Sequence, residues 1–265
     1  MMAAAALEWM ILLYFFFAVV GAVVGSFLNV CICRLPQEKS IVRPASHCPR
    51  CLHPIRAYDN IPVVSYLLLR GKCRDCGERI SIRYPAVEII TAAMALLILW
   101  RFGFTLQALF SFLFACSLIV ITFIDLDHQI IPDVITLPGI PIFFLVAVFA
   151  MGLSFTDALF GLLIGGGCLY AVALGYELIA KREGMGGGDI KLLAMIGAFL
   201  GWRSLLFVLL ASSLLGAIVG IAIMIAKGRD MKYAVPFGPF LSAAAAAYLF
   251  VGDWTMRLFF SLRPY

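Results

Sequence analysis

Charge is what this sequence has least of. Asp, Glu, Lys and Arg together make up 13% of its 265 residues, about half the share found in soluble domains. Hydrophobic residues make up 63%. A globule of this size cannot hide that much apolar surface, so a water-soluble monomer is excluded. The same excess of apolar residues excludes disorder, and length excludes a disulfide-stapled mini-protein. No Lys or Arg precedes Arg34. The first apolar segment therefore lacks the basic start of a cleavable signal peptide and is expected to stay in place as a membrane helix. No internal repeat is visible. What remains is an all-α polytopic membrane protein, because inside a bilayer the backbone of a spanning segment must satisfy its own hydrogen bonds.

What charge there is lies unevenly. Residues 31–85 hold ten Lys/Arg and four Asp/Glu, so one polar insert is embedded in an apolar chain. This divides the sequence into a first transmembrane helix (1–30), a cytosolic cysteine-bearing insert (31–85) and a membrane-embedded bundle (86–265). A transmembrane helix needs about 20 apolar residues. Eight candidates are read: Trp9–Val30, Ala86–Trp100, Phe104–Ile124, Val134–Gly152, Ala158–Ala180, Ile190–Trp202, Leu205–Ala226 and Ala234–Val251. Ile190–Trp202 is short, reaching only about 20 Å, and reads as a half-span or as a helix lengthened by the glycines before it. With the N-terminus outside, sixteen of the 20 Lys and Arg fall on the inner side and four on the outer. That bias orients the chain. The N-terminus is expected in the periplasm and the insert in the cytosol, where thiols stay reduced.

The insert carries Cys48-Pro-Arg-Cys51 and Cys73-Arg-Asp-Cys76-Gly77. Two Cys-x-x-Cys hairpins offer four thiolates tetrahedrally, as structural zinc requires. Four reduced thiols or a redox pair are the alternatives. His47 and His53 are left outside a shell that the cysteines already fill. Cys31, Cys33, Cys116 and Cys168 read as small apolar residues.

Two further clusters carry carboxylates. Asp125-Leu-Asp127-His128 and then Ile131-Pro132-Asp133 close the third span, with Asp125 deepest. Ionisable groups at membrane depth are costly and usually functional. Asp127, two positions on, faces another way. Asp133 is placed to cap the next helix. Glu183-Gly184-Met185-Gly186-Gly187-Gly188-Asp189-Ile190-Lys191 opens the sixth span. It lacks the Gly-Lys-Ser/Thr ending of a phosphate loop, and taken alone it reads as a turn with a capping Asp. Topology puts Asp125 and Asp189 at the same, cytosolic, side. Two carboxylates within reach of one water do not both ionise easily, so one serves as acid and the other as base. Such a pair is the chemistry of amide hydrolysis without metal. Two other readings compete. A proton-coupled secondary transporter also uses membrane carboxylates, but it predicts two related halves around the midplane. A membrane-anchored zinc module would only bind partners.

The sequence resembles the bacterial type IV prepilin peptidase family across nearly its whole length. The resemblance rests on Gly25-Ser-Phe-Leu-Asn29-Val with Arg34-Leu-Pro36, then the paired cysteine knuckles, then Arg83-Tyr-Pro85-Ala-Val-Glu88. Asp125 with Ile131-Pro132-Asp133, the Gly186-Gly187-Gly188-Asp189 match to a Gly-x-Gly-Asp motif, and Pro236-Phe-Gly238-Pro239 complete it. The resemblance implies an aspartic endopeptidase with Asp125 and Asp189 as the catalytic pair and Gly186 and Gly188 in the active-site loop. It implies cleavage of prepilins or pseudopilins on the cytosolic side of the inner membrane, after a glycine that ends a basic leader. It further implies methylation of the new N-terminus with S-adenosylmethionine as donor, and links Gly71 and Glu88 to that second activity. Glu88 reads equally as a helix-start carboxylate. Asp125, Asp127, Asp133 and Glu183 are expected to form an acidic rim that guides the leader. Lys191 reads either as biasing the ionisation of Asp189 or as a lysine reaching outward to the interface. Partners are thus prepilin substrates and lipid, with no nucleic acid. No oligomeric state follows.

Overall fold

The computed structural model describes residues 2–181, 186–227 and 235–260. In chain order its helices are α1 (Met2–Arg34), α2 (Val64–Leu68), α3 (Arg83–Phe102), α4 (Leu106–His128), α5 (Asp133–Phe149), α6 (Phe155–Ala180), α7 (Gly187–Leu200), α8 (Trp202–Lys227) and α9 (Gly238–Phe260). Each of the eight apolar segments read from the sequence coincides with one helix, and α2 is a short helix inside the insert. Among the described residues α1, α3, α4, α6 and α8 are long and apolar enough to cross a bilayer. At 17 and 14 residues, α5 and α7 reach only about 26 and 21 Å. Trp9, Phe15, Phe16, Leu163, Leu210 and Ile218 are among many large apolar side chains left exposed, as a lipid-facing surface requires. The protein is an all-helical, multi-pass membrane protein.

The chain forms two compact units, dividing within α4 between Val120 and Ile121. In the first unit α1 lies along α3. Gly21 and Gly25, four residues apart, set the spacing. A Cβ on either would come within 2.8 Å of the Ala92 Cα or 2.7 Å of the Glu88 Cα, so only glycine lets the two backbones approach so closely. One turn further along the same face, the Asn29 side-chain amide donates to the Tyr84 carbonyl at 3.0 Å. The opening motif of the sequence is therefore a helix-packing stripe.

In the second unit α7 packs against α5, α6, α8 and α9. Eight consecutive residues, Leu192 to Phe199, are buried. A helix that is apolar all round is a core element, which accounts for a segment too short to span but too apolar for the surface. Gly161 of α6 and Gly197 of α7 meet backbone to backbone, and a Cβ on Gly165 would lie 2.6 Å from the Leu193 carbonyl oxygen. A single residue, Gly201 at φ +79°, joins α7 to α8. Ser154 caps α6 by accepting from the Asp157 N–H at 3.1 Å, and Asp157 in turn accepts from the Trp202 indole at 2.8 Å.

Helix ends depart from the sequence reading by several residues, most at α1, which runs from Met2 to Arg34, and at the last helix. The last helix starts at Gly238 rather than Ala234, with Pro239 in its first turn, where a missing N–H costs nothing. It runs on past Val251 to Phe260. Asp133 is the first residue of α5 but does not cap it. Pro132 occupies the cap position, and no side chain accepts there.

Candidate active site

Asp125 lies in the last turn of α4 and is 5% exposed, while Asp127 two positions later is exposed. The 100° step of the helix puts them on different faces, as read from the sequence. The first turn of α9 comes to meet Asp125. The Gly238 N–H donates to its Oδ2 at 3.0 Å, so the carboxyl group takes up one of the free amides at a helix N-terminus. A Cβ at Gly238 would stand 2.6 Å from that same oxygen and 3.1 Å from the Ile131 Cδ1.

Asp189 is the third residue of α7, where the helix dipole favours negative charge. The helix is capped at Gly186 in extended conformation (φ −68°, ψ 137°). Asp189 is therefore not itself the cap. Its Oδ1 is buried and, among the described residues, makes no hydrogen bond. The charged group acting on Asp189 is Asp125. The structure thus brings the two predicted aspartates into one electrostatic neighbourhood, both at helix ends, with Asp125 buried and Asp189 half-buried. A buried polar atom without a partner is rare and calls for a ligand or a water.

One side chain sets the spacing between these pieces. Ile131 reaches Gly238 on one side. On the other, a Cβ on Gly188 would lie 2.8 Å from the Ile131 Cβ. Gly188 is thus held to glycine by Ile131, whereas a Cβ at Gly186 or Gly187 would meet nothing within 4 Å. Beside this wedge, the Lys191 Nζ donates to both carboxylate oxygens of Asp133, at 2.7 and 2.8 Å. The predicted acidic rim is reduced accordingly, because Asp133 is neutralised by Lys191. Glu183 and the neighbouring residues 182, 184 and 185 lie outside the described residues. Sequence reasoning gives Gly238 and Ile131 no site role beyond their motifs, and it considers Asp133 and Lys191 separately, not as a pair. The available signal was the Gly238-Pro239 pair, a helix start that keeps an unobstructed amide.

The four cysteines of the insert form a separate centre in the first unit. The sulfurs of Cys48, Cys51, Cys73 and Cys76 all lie within 4.8 Å of one another, and Cys48 Sγ to Cys76 Sγ is 3.8 Å. That is about the edge of a tetrahedron with metal–sulfur bonds of about 2.3 Å. Each half is a one-turn knuckle. Cys48 N–H donates to the His53 carbonyl (3.0 Å) and Leu52 N–H to the Cys48 carbonyl (2.9 Å). Cys73 N–H donates to Glu78 (2.7 Å) and Gly77 N–H to Cys73 (3.0 Å). Leu52 (φ 58°) and Gly77 (φ 71°) occupy the matching left-handed positions. The Arg50–Glu78 ion pair ties one knuckle to the other, and Arg74 holds Asp59 at 2.6 Å.

The thiols compete for protons. The amides of Cys51 and Arg50 lower Cys48 to about 7. Cys76, though favoured as thiolate by the amide of Glu78, is pushed up to about 12 by desolvation and its three sulfur neighbours. Four crowded thiols that cannot all ionise alone fit a soft dication that would hold them as thiolates. The cluster is compatible with zinc binding.

Gly71 and Glu88 belong to other networks of the first unit. Gly71 (φ +66°) donates its N–H to the Tyr66 carbonyl at 2.9 Å and accepts from the Ile80 N–H at 2.8 Å. The buried Glu88 accepts from the Val63 N–H at 2.7 Å. Both make internal hydrogen bonds within the first unit.

Fold and site together define a multi-pass helical membrane protein with an aspartate pair where helix ends converge, and a four-thiol cluster in its polar insert. The chain belongs to the type IV leader peptidase family, whose pattern matches residues 112–221 and so includes both aspartates. Residues 19–102 match the bacterial Peptidase A24 N-terminal domain. The chain is 39% identical over 257 residues to the prepilin leader peptidase/N-methyltransferase of Pseudomonas putida, covering 89% of each chain. To that of Pseudomonas aeruginosa it is 40% identical over 262 residues, covering 90% of each. To that of Myxococcus xanthus it is 46% identical over 215 residues, 81% of this chain and 64% of the relative. No solved structure matches the chain.

Proposed function

We propose that this protein is a membrane aspartyl endopeptidase that removes the basic leader of prepilins and pseudopilins after glycine, and that Asp125 and Asp189 are its catalytic pair. The observation that carries this reading is the buried, unpartnered Oδ1 of Asp189 beside the charge of Asp125. Such a pair holds one proton between its members and titrates as a unit. With a water between them, the ionised carboxylate takes a proton from the water as its oxygen attacks the scissile carbonyl carbon. The protonated partner gives its proton to the carbonyl oxygen. Collapse of the tetrahedral intermediate breaks the C–N bond, with a proton delivered to the leaving amine. Gly238 keeps the Asp125 carboxyl aimed while this happens. Neither metal nor covalent intermediate is needed.

The relatives' names support methylation of the new N-terminus with S-adenosylmethionine as a second activity. The cysteine centre is assigned a structural zinc that closes the insert into one unit. The apolar helices and the relatives support an inner-membrane location, and the charge bias favours a periplasmic N-terminus with the insert and aspartates cytosolic, where a basic leader remains outside the bilayer. The carboxylates gather at one end of the bundle rather than around a midplane, which favours a peptidase over a transporter.

The test is cleavage of a purified prepilin by the full-length protein in lipid nanodiscs. Wild type is expected to shorten the prepilin, and Asp125→Asn and Asp189→Asn each to lose activity by about 10³-fold at unchanged protein level. Full activity in either variant rejects the assignment. The mass of the product N-terminus, with and without the methyl donor, reads the second activity.

A further inference from the structure

The segment between α4 and α5 does more than connect them. Ile131 fills the space between Gly188 and Gly238, and two residues later Asp133 receives both hydrogen bonds of Lys191. Gly188 precedes Asp189 directly, and Gly238 carries the amide that holds Asp125. The α4–α5 segment is therefore wedged between the glycine that precedes Asp189 and the glycine whose amide holds Asp125, and is latched to α7 by one ion pair. Lys191 sits two residues beyond Asp189, so its side chain leaves α7 on another face. Its charge is spent on Asp133.

We propose that the Lys191–Asp133 pair is a positioning latch. It holds the Ile131 wedge against α7 and thereby fixes the distance between the two aspartates, without touching the reacting atoms. This rests on the aspartyl-peptidase reading above. The pair is partly exposed, with side chains 36% and 54% accessible. Exposed ion pairs add little to folding stability. Positioning within a catalytic pair is far more sensitive, since a displacement near 1 Å costs about a hundred-fold in rate. The latch is thus expected to appear in turnover and hardly at all in unfolding.

The experiment is a double-mutant cycle on the full-length protein in nanodiscs, with prepilin cleavage as readout and Asp125→Asn and Asp189→Asn as reference. Lys191→Met and Asp133→Asn are each expected to lower kcat about three- to ten-fold, with KM, the pH optimum and the unfolding midpoint unchanged. The double variant is expected to be no slower than either single, since both remove the same contact. Lys191→Arg is expected to retain most activity. Singles as active as wild type overturn the latch, as do losses that multiply in the double. So do pH optima that move in opposite directions in the two singles, because that signature belongs to a lysine acting directly on the ionisation of Asp189. If Asp125→Asn and Asp189→Asn still cleave, the aspartyl reading fails instead, and the two failures are told apart.

Discussion

At the scale of single residues, the glycines around the aspartates are not equivalent. Gly186 and Gly188 belong to one motif, yet only Gly188 and the distant Gly238 stand where a methyl group would collide. Gly238→Ala is expected to push the Asp125 carboxyl off its amide and lower prepilin cleavage about a hundred-fold. Gly188→Ala is expected to fall between that and wild type, because the side chain of Ile131 can give way. Gly186→Ala should cleave within about two-fold of wild type, since nothing lies within 4 Å of the new methyl and the backbone there is one that alanine adopts freely. Cleavage rates of the three variants order them. The aspartates themselves were legible in the sequence, because a carboxylate at the end of an apolar run stands out. Ile131 and Gly238 were not. Their role exists only through contacts between distant parts of the chain, 113 residues apart in the case of Gly238 and Asp125, and no local pattern marks such a pairing.

At the scale of elements, α6 and α7 meet through glycine backbones, and the crossing tolerates no side chain. Gly161→Val is expected to lower the unfolding free energy by about 1–3 kcal/mol or more, read as a lower unfolding midpoint in detergent. Gly167→Ala, on the same helix with open space around it, should be neutral or slightly stabilising through helix propensity. The short sixth segment was recognised from its apolar run, but its central burial was not, because length alone cannot tell a half-span from a core helix.

The knuckles make a separate prediction. Purified protein is expected to carry about one zinc ion per chain, and Cys48→Ser to lose it. Acidification should release the metal as protons reclaim the thiolates. The Arg74–Asp59 pair behaves differently. Arg74 lowers the Asp59 carboxyl below its usual range, so the pair's contribution is complete above the unfolded value of about 3.9 and is lost only as pH falls through the lower folded one. In a pH titration followed by metal release and amide exchange of the insert, metal is expected to leave first, with the loop around Asp59 still ordered.

At the scale of the whole molecule, the distribution of basic residues favours a topology that labelling can test. Single cysteines placed in an otherwise cysteine-free chain at Gly103 and Gly152, each an exposed turn between helices, are expected to react with a membrane-impermeant reagent from the periplasmic side. A cysteine at Gln129 should react only after the cells are opened. Reversal of either result removes the cytosolic placement of the aspartates. The all-helical class and the position of every long helix followed from apolar length, a property of the bilayer as solvent. Helix ends were less legible, as at Gly238, because they depend on caps and partners supplied by the rest of the chain.

The bond from Gly238 to Asp125 also sets an order of events during synthesis. A ribosome that has just finished the sixth apolar segment has already made both acidic residues, yet the amide that steadies one of them is still unmade. A nascent chain arrested there carries the full pair of acids with nothing to aim them. On the aspartyl-peptidase reading proposed above, proteolytic competence would arrive late in biogenesis, with insertion of the final helix, and the membrane would be spared a hydrolase working before its own assembly is complete.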